Sequence, residues 1–153
     1  DLYAGEAAAA WKRTSEAWPA LRGSLILRLQ LLRIEWLHLR ARLALAVGQL
    51  EEAARYARGL EREKMPWSLA LAGLIRAGVA ASRGRREQAA GLAASAEQAC
   101  EAAGMAHYAA AARHRRSEWM KGAETADAWF AAQKVRNPAR MVALLAPLPE
   151  NGP

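Results

Sequence analysis

The sequence predicts an all-α fold, a solenoid of helical hairpins with about three repeats and a C-terminal helix, and three observations lead there. The segments starting at Gly5, Gly48 and Gly84 each place Ala five residues on, at Ala10, Ala53 and Ala89. The two clearest, GQLEEA and GRREQA, each follow a long apolar stretch and open a charged, Ala-rich one. Gly48 and Gly84 stand 36 residues apart, a period typical of repeats in which each helix pair buries its apolar face only against its neighbours. Ala, Leu, Arg and Glu dominate, β-branched residues are scarce, and Phe130 is the only Phe, which favours helix over strand. At 153 residues the chain reads as a single domain, 1–153, long enough to bury a core.

The chain lacks an initiator Met and has too few residues before Gly5 for a preceding helix, so it reads as a piece of a longer protein with a partial repeat at 1–23. Residues 6–17 form that repeat's outer helix, closed by Trp18 and Pro19, because a residue before proline is pushed out of the helical region. Ser24 caps the next helix. Full repeats are expected at 24–65, 66–104 and 105–134, with a terminal helix and tail at 135–153. Residues 25–47 form one helix of about 34 Å. Leu25, Leu29, Leu32, Trp36, Leu39 and Leu43 make one apolar stripe. Leu27, Leu31, Ile34, Ala41 and Leu45 make another nearly opposite, so the helix is sandwiched. Arg28, Glu35 and Arg42 on one flank, and Arg33 and Arg40 on the other, form narrow solvent-facing edges. Gly48 ends this helix as a left-handed cap, and Glu51 and Glu52 sit at the positive end of the next, 50–63. Pro66 stops that helix or starts its successor, 67–82; Gly84 is a turn, and 86–102 is the following outer helix. Gly104 breaks the chain. Helices 105–121 and 124–133 repeat the pattern with Gly122 at the turn and Asp127 where a small Ala belongs, the drift expected of a terminal repeat. Asn137 caps a short helix through Leu145, and Pro147, Pro149 and Pro153 make an extended tail.

The period and the small residues at the helix crossings resemble the tetratricopeptide repeat. Within 34–66, Leu37 takes the large position, Ala41 the small one, Gly48 the turn, Ala53 the close helix contact and Pro66 the end. The second copy has Gly73, Ala77, Gly84 and Ala89; the third has Ala111, Arg115, Gly122 and Asp127 and keeps only the turn. Small residues matter here because closely crossing helices leave no room for longer side chains. The strings EAWPAL, LRLQLLRIEWLHLRARLAL, AAARHRR and VRNPARMVALLAP look like the C-terminal tetratricopeptide-like region of large bacterial serine/threonine protein kinases. That resemblance implies a cytoplasmic signalling parent with an ATP-binding kinase domain, then an AAA-type or signal-transduction ATPase module, then helical repeats. It transfers no active-site residue, since the kinase Gly-rich loop, lysine and catalytic-loop motifs have no counterpart here.

Little in the sequence spells out chemistry. The lone Cys100 cannot form an internal disulfide and no secretory leader opens the chain, which together point to the cytosol. The most apolar window, 67–81, is too short to span a bilayer and contains Arg76. Cys100, His107 and His114 are spaced seven apart, as aligned ligands on one helix would be, but Gly104 interrupts them and there is no fourth ligand, so neither metal nor cofactor is expected. Glu35 and His38 read as a hydrogen-bonded groove pair rather than an acid–base pair. Phosphate-binding, zinc-protease, nucleophile-elbow and dinucleotide motifs are missing, so this chain is not expected to be an enzyme.

Binding is the expected role. The face that tetratricopeptide proteins turn toward their groove carries Glu35, His38 and Arg42 in the first full repeat, Leu74 and Ala81 in the second, and Ala112, Arg116 and Trp119 in the third. This gives an apolar middle and basic ends, with Arg42 and Arg116 contacting the ligand. The lysine and asparagine clamp that some family members use for a C-terminal carboxylate is not reproduced. The expected function is a non-catalytic protein-interaction or sensory scaffold domain of a multidomain kinase, binding a protein segment or a sister domain. The alternative is a nucleic-acid-contacting helical domain of a signal-transduction ATPase transcriptional regulator. It draws on the formal charge of +7 and on two clusters, Arg83, Arg85, Arg86 and Arg113, Arg115, Arg116. No membrane partner is expected. An apolar edge on 6–17 is expected to promote self-association through the N-terminal end.

Overall fold

The computed structural model describes residues 2–149; the expectation for Pro153 lies outside them. Among the described residues there are eight α-helices and no strand: α1 (Ala7–Gly23), α2 (Gln30–Ala46), α3 (Leu50–Arg62), α4 (Pro66–Ser82), α5 (Arg86–Ala102), α6 (Ala106–Trp119), α7 (Asp127–Ala132) and α8 (Pro138–Leu145). From α1 to α7 each helix packs on the next, α2 also touches α4, and α8 returns onto α6 and onto the short 3-10 turn Leu2–Ala4. No helix among these residues is long and apolar enough to cross a membrane.

The corners are built alike. Gly48, Gly84 and Gly104 adopt φ of 77°, 75° and 72°, the left-handed region that an L side chain enters only at a cost. Behind each glycine the next amide reaches back along the helix: Gln49 N donates to Ala44 O at 2.8 Å, Arg85 N to Ala80 O at 3.0 Å and Met105 N to Cys100 O at 2.8 Å. This pairs the carbonyls that a helix end otherwise leaves without partners. Pro66 opens α4, where Ser68 closes the first turn by donating to Met65 O at 2.9 Å and accepting from Met65 N at 3.2 Å.

Two main apolar clusters result. Ile34, Ala41, Leu45, Tyr56, Leu60, Leu71 and Ile75 join α2, α3 and α4. Ala70, Leu74, Ala96, Cys100, Ala109, Ala111 and Ala112 join α4, α5 and α6, and here Leu145 and Ala146 of the C-terminal segment enter the core. A third cluster of Ala110, Ala126, Phe130 and Val142 seats α7 and α8 on α6.

Several expectations are corrected. α1 does not stop at Trp18; it runs through Pro19 to Gly23. Pro19 is exposed, so water can reach the carbonyl it frees one turn back. The helix expected over 25–47 is broken at Leu29, whose φ of −75° and ψ of 116° separate a 3-10 turn, Leu25–Arg28, from α2. A tertiary contact holds the break: Arg33 donates to Leu27 O at 2.9 Å while its Nε and Nη2 grip the Glu63 carboxylate at 2.6 and 2.7 Å. Ser24 does not cap forward; its hydroxyl donates back to Leu21 O at 2.7 Å. The upper halves of both predicted stripes are therefore uncovered, with Leu25, Leu29 and Leu31 at 68%, 62% and 60% exposure. The apolar surface expected on 6–17 lies on 25–32 instead. Arg40, expected at a solvent edge, is 4% exposed. The outer helix expected at 124–133 is only the short α7.

Candidate binding groove

α2, α4 and α6 contribute one shared face, and the end of the chain lies across it. Asn137 starts α8 by accepting from Arg140 N at 3.0 Å, with Pro138 in the first turn where its missing N–H costs nothing. The spacing of Met141, Val142 and Leu145 then puts an apolar edge on one side of α8. Val142 packs with Phe130, and Leu145 and Ala146 pack with Leu74 and Ala112. The last carbonyls of a helix have no internal partner, and two arginines take them. Arg42 Nη1 of α2 donates to Leu144 O at 2.9 Å, and Arg115 Nε of α6 donates to Ala146 O at 2.8 Å. Cations there also meet the negative end of the helix dipole. On α4, Gly78 lies between α2 and the segment: a Cβ at this position would meet Leu45 Cδ2 at 2.5 Å and lie in contact with Pro147 O at 3.4 Å. Pro147 and Pro149 then carry the chain out without any N–H to satisfy.

The sequence-predicted groove residues divide into three sets. His38, Arg42, Leu74 and Ala112 form the floor and wall: His38, Leu74 and Ala112 are buried, Arg42 is half-buried, and the last three of the set touch or cluster with the C-terminal segment. Ala81 and Trp119 line a cavity of about 450 Å³ at the far end, shared with Leu50, Arg86, Leu148 and Pro149. Glu35 and Arg116 depart from the expected arrangement. Glu35 is exposed at the rim of an apolar cavity lined by Ile26, Leu32 and Trp36, which Arg42 also borders, and Arg116 turns to Glu97 at 3.3 Å. Arg42 also departs from the expected arrangement: its Nη1 donates to Leu144 O, so the chain's own end takes the place expected for an external ligand. Sequence reasoning named Arg115 and the terminal helix but did not bring them to the groove, and it did not single out Gly78. The signal was present: a capped two-turn helix with one apolar edge must find a partner face.

Electrostatics sharpen the picture. His38 is 1% exposed, stands edge-on to Tyr108 with ring centroids 5.4 Å apart, and its Nε2 has no partner among the described residues. Burial first, and the nearby Arg42 second, push its pKa well below the usual histidine value, so it is neutral at pH 7. Burial raises the Tyr108 pKa and lowers that of Arg42. With His38 enclosed and Glu35 outside, the two do not share a dry cleft. Because the unfolded chain binds this proton near pH 6.5 and the folded one resists it, His38's contribution to stability is full above about pH 6.5 and declines as pH falls toward its folded pKa. The slope is at most about 1.4 kcal/mol per pH unit. Denaturant titrations at pH 7, 6 and 5 are expected to show the decline in the wild type and a shallower one in His38→Phe. Equal slopes would assign the effect elsewhere, for instance to His107, which burial shifts the same way.

The remaining sequence candidates are separate structural features. Cys100 is buried in α5, and burial, reinforced by Glu101, pushes its thiol up to about 12, where it is inert. His107 lies tilted against Tyr108, and His114 meets Phe130 edge-on; no group of His, Cys, Asp and Glu among the described residues is placed to hold a metal. The second arginine cluster is spent internally. Arg113 pairs with Glu97 at 2.6 Å and Glu101 at 2.9 Å, and Arg115 with Glu118 at 2.9 Å. The chain matches no family model, no curated protein and no solved structure.

Proposed function

We propose that this chain is a non-catalytic, tetratricopeptide-like interaction domain that recognises an apolar helical segment of a protein partner. One observation carries the reading: the face shared by α2, α4 and α6 holds such a segment in cis, with Arg42 and Arg115 on its main-chain carbonyls. Recognition through carbonyls makes no demand on side-chain identity, so an apolar edge of the right spacing suffices. The repeat assignment is supported by Ala41, Ala53, Ala77 and Ala89, which are buried where close helix crossings require small residues. Gly48 and Gly84, which make equivalent corners, support it as well. The sequence strings that resemble the C-terminal region of bacterial serine/threonine kinases make a sensory or assembly role in such a multidomain signalling protein the proposed setting.

Selection of a displayed library of 15-residue peptides on the immobilised full chain tests this. Enriched peptides are expected to be helix-forming and apolar on one edge, and to lose binding to the Arg42→Ala, Arg115→Ala double variant. Retained binding to that variant contradicts the groove assignment.

A second reading, contact with nucleic acid, has one observation in its favour: Arg58, Arg76, Arg83 and Arg85 line an outer cleft of about 240 Å³. Arg76 and Arg83, however, pair with Glu61 and Glu51, which lowers the cleft's net field. A short duplex titrated at about 50 and 200 mM salt is expected to show no specific binding. Tight binding that falls steeply with salt and disappears in Arg58→Glu, Arg85→Glu would favour this second reading instead.

A further inference from the structure

We infer that residues 138–149 are a displaceable cis plug of the groove, and that the partner replacing them is an apolar two-turn helix bearing an acidic side chain over Arg42. This rests on the groove reading above and adds its regulation and the chemistry of its ligand.

The segment is attached to the groove as a separable unit. It is joined to α7 by residues 133–137, with Lys134 in the left-handed region at φ 55°. The side chains it buries are few, chiefly Val142, Leu145, Ala146 and Pro147, while seating it fixes a dozen residues. The apolar gain and the ordering entropy are therefore close to balance. By contrast, α4 and α5 are packed on both sides by neighbouring helices.

The plug is also an imperfect ligand. It gives Arg42 one neutral carbonyl, leaves the buried Arg42 Nε without an acceptor, and leaves His38 Nε2 beside it unmatched. Among the described residues Arg42 makes no ion pair. A guanidinium offers a planar fork that a carboxylate fills better than one carbonyl does. The Leu144 side chain, with Arg42, lines a cavity of about 220 Å³, so an acid at the place of Leu144 can reach it. A trans helix with that acid holds a charge-assisted contact that the cis segment lacks, and wins the exchange when it is present.

Two measurements on the full chain test this. In hydrogen exchange on the wild type, amides of 141–146 are expected to exchange at least about 100-fold faster than those of 70–79, showing a separate opening. Exchange of both at one rate overturns the plug while leaving the groove's fitness for a partner untouched. The second measurement uses Leu145→Asp, which is expected to release the plug while leaving the residues of α2, α4 and α6 unchanged. A fluorescent peptide of residues 137–149 is expected to bind this variant at least about tenfold more tightly than it binds the wild type. The peptide carrying Leu144→Glu should bind about tenfold more tightly again, a gain that Arg42→Ala in the protein removes. Equal binding of the 137–149 peptide to wild type and variant overturns the plug, and no gain from Leu144→Glu overturns the acidic partner. Separate opening without any peptide binding to Leu145→Asp overturns the groove reading itself. A concentration-dependent dimer of the wild type in sedimentation, lost in Leu145→Asp, would mean that a second copy supplies the segment and would contradict the cis assignment.

Discussion

Replacing Arg40 with alanine is expected to destabilise the protein by about 3 kcal/mol. Its guanidinium is buried, and among the described residues it pairs with no carboxylate. Nε and Nη2 donate to the Tyr56 hydroxyl at 3.2 and 3.0 Å, and Nη1 donates to Ser15 Oγ at 2.9 Å and Thr14 Oγ1 at 3.3 Å. The charge lies over the Trp11 ring at 4.2 Å, with Tyr56 at 5.4 Å and Trp18 at 5.9 Å. Hydrogen bonds to a charged donor contribute about 1.5–3 kcal/mol and a desolvated cation–π contact about 2; the cost of burying the cation offsets part of the sum. One side chain thus fastens α1 to α2 and α3. Urea denaturation measures the loss, and Arg40→Met, which keeps the aliphatic stem against the rings, should recover part of it. A change below about 0.5 kcal/mol in Arg40→Ala would show that the aromatic cage holds α1 without the charge.

The second large effect is expected at Gly78. A Cβ there would sit 2.5 Å from Leu45 Cδ2 and 3.4 Å from Pro147 O, with Leu45 enclosed in the core. Glycine inside a helix ordinarily costs about 1 kcal/mol relative to alanine, but overpacking a filled core costs about 1–3 kcal/mol. The second effect is expected to win, because the atom in the way belongs to Leu45, which is 1% exposed in a close-packed cluster. Gly78→Leu is expected to lose about 3 kcal/mol and to lift the C-terminal segment from α4. Gly91, in α5, has nothing within 4 Å of its Cβ position, so Gly91→Ala is expected to gain about 1 kcal/mol. Thermal melts of the two variants should move in opposite directions. A Gly78→Leu variant as stable as wild type would mean that α2, α4 and the C-terminal segment do not approach this closely.

The contrast between these glycines shows what a sequence can and cannot reveal. Left-handed corners at Gly48 and Gly84, and the helix over 86–102, are legible because local chemistry alone dictates them. The break at Leu29 is not: no Gly or Pro marks it, and it is held by Arg33 reaching across to Glu63 and Leu27. Helical periodicity sends Arg40 to a solvent edge, whereas its cage is assembled from Trp11 and Trp18, which lie in a different helix. The same limit applies to the groove. Helical spacing puts Arg42, Leu74 and Ala112 on comparable faces, and the structure brings all three under one segment. That the segment is the chain's own end depends on the path through residues 120–137, which no periodicity encodes.

Proton NMR distances across the groove bear most directly on whether residues 138–149 occupy it. Nuclear Overhauser contacts are expected from Pro147 and Leu145 to the Gly78 α-protons and the Leu74 methyls, and they should vanish in Leu145→Asp. If the wild type shows none of these contacts while α4 and α5 give their full set, the segment does not sit between Arg42 and Arg115.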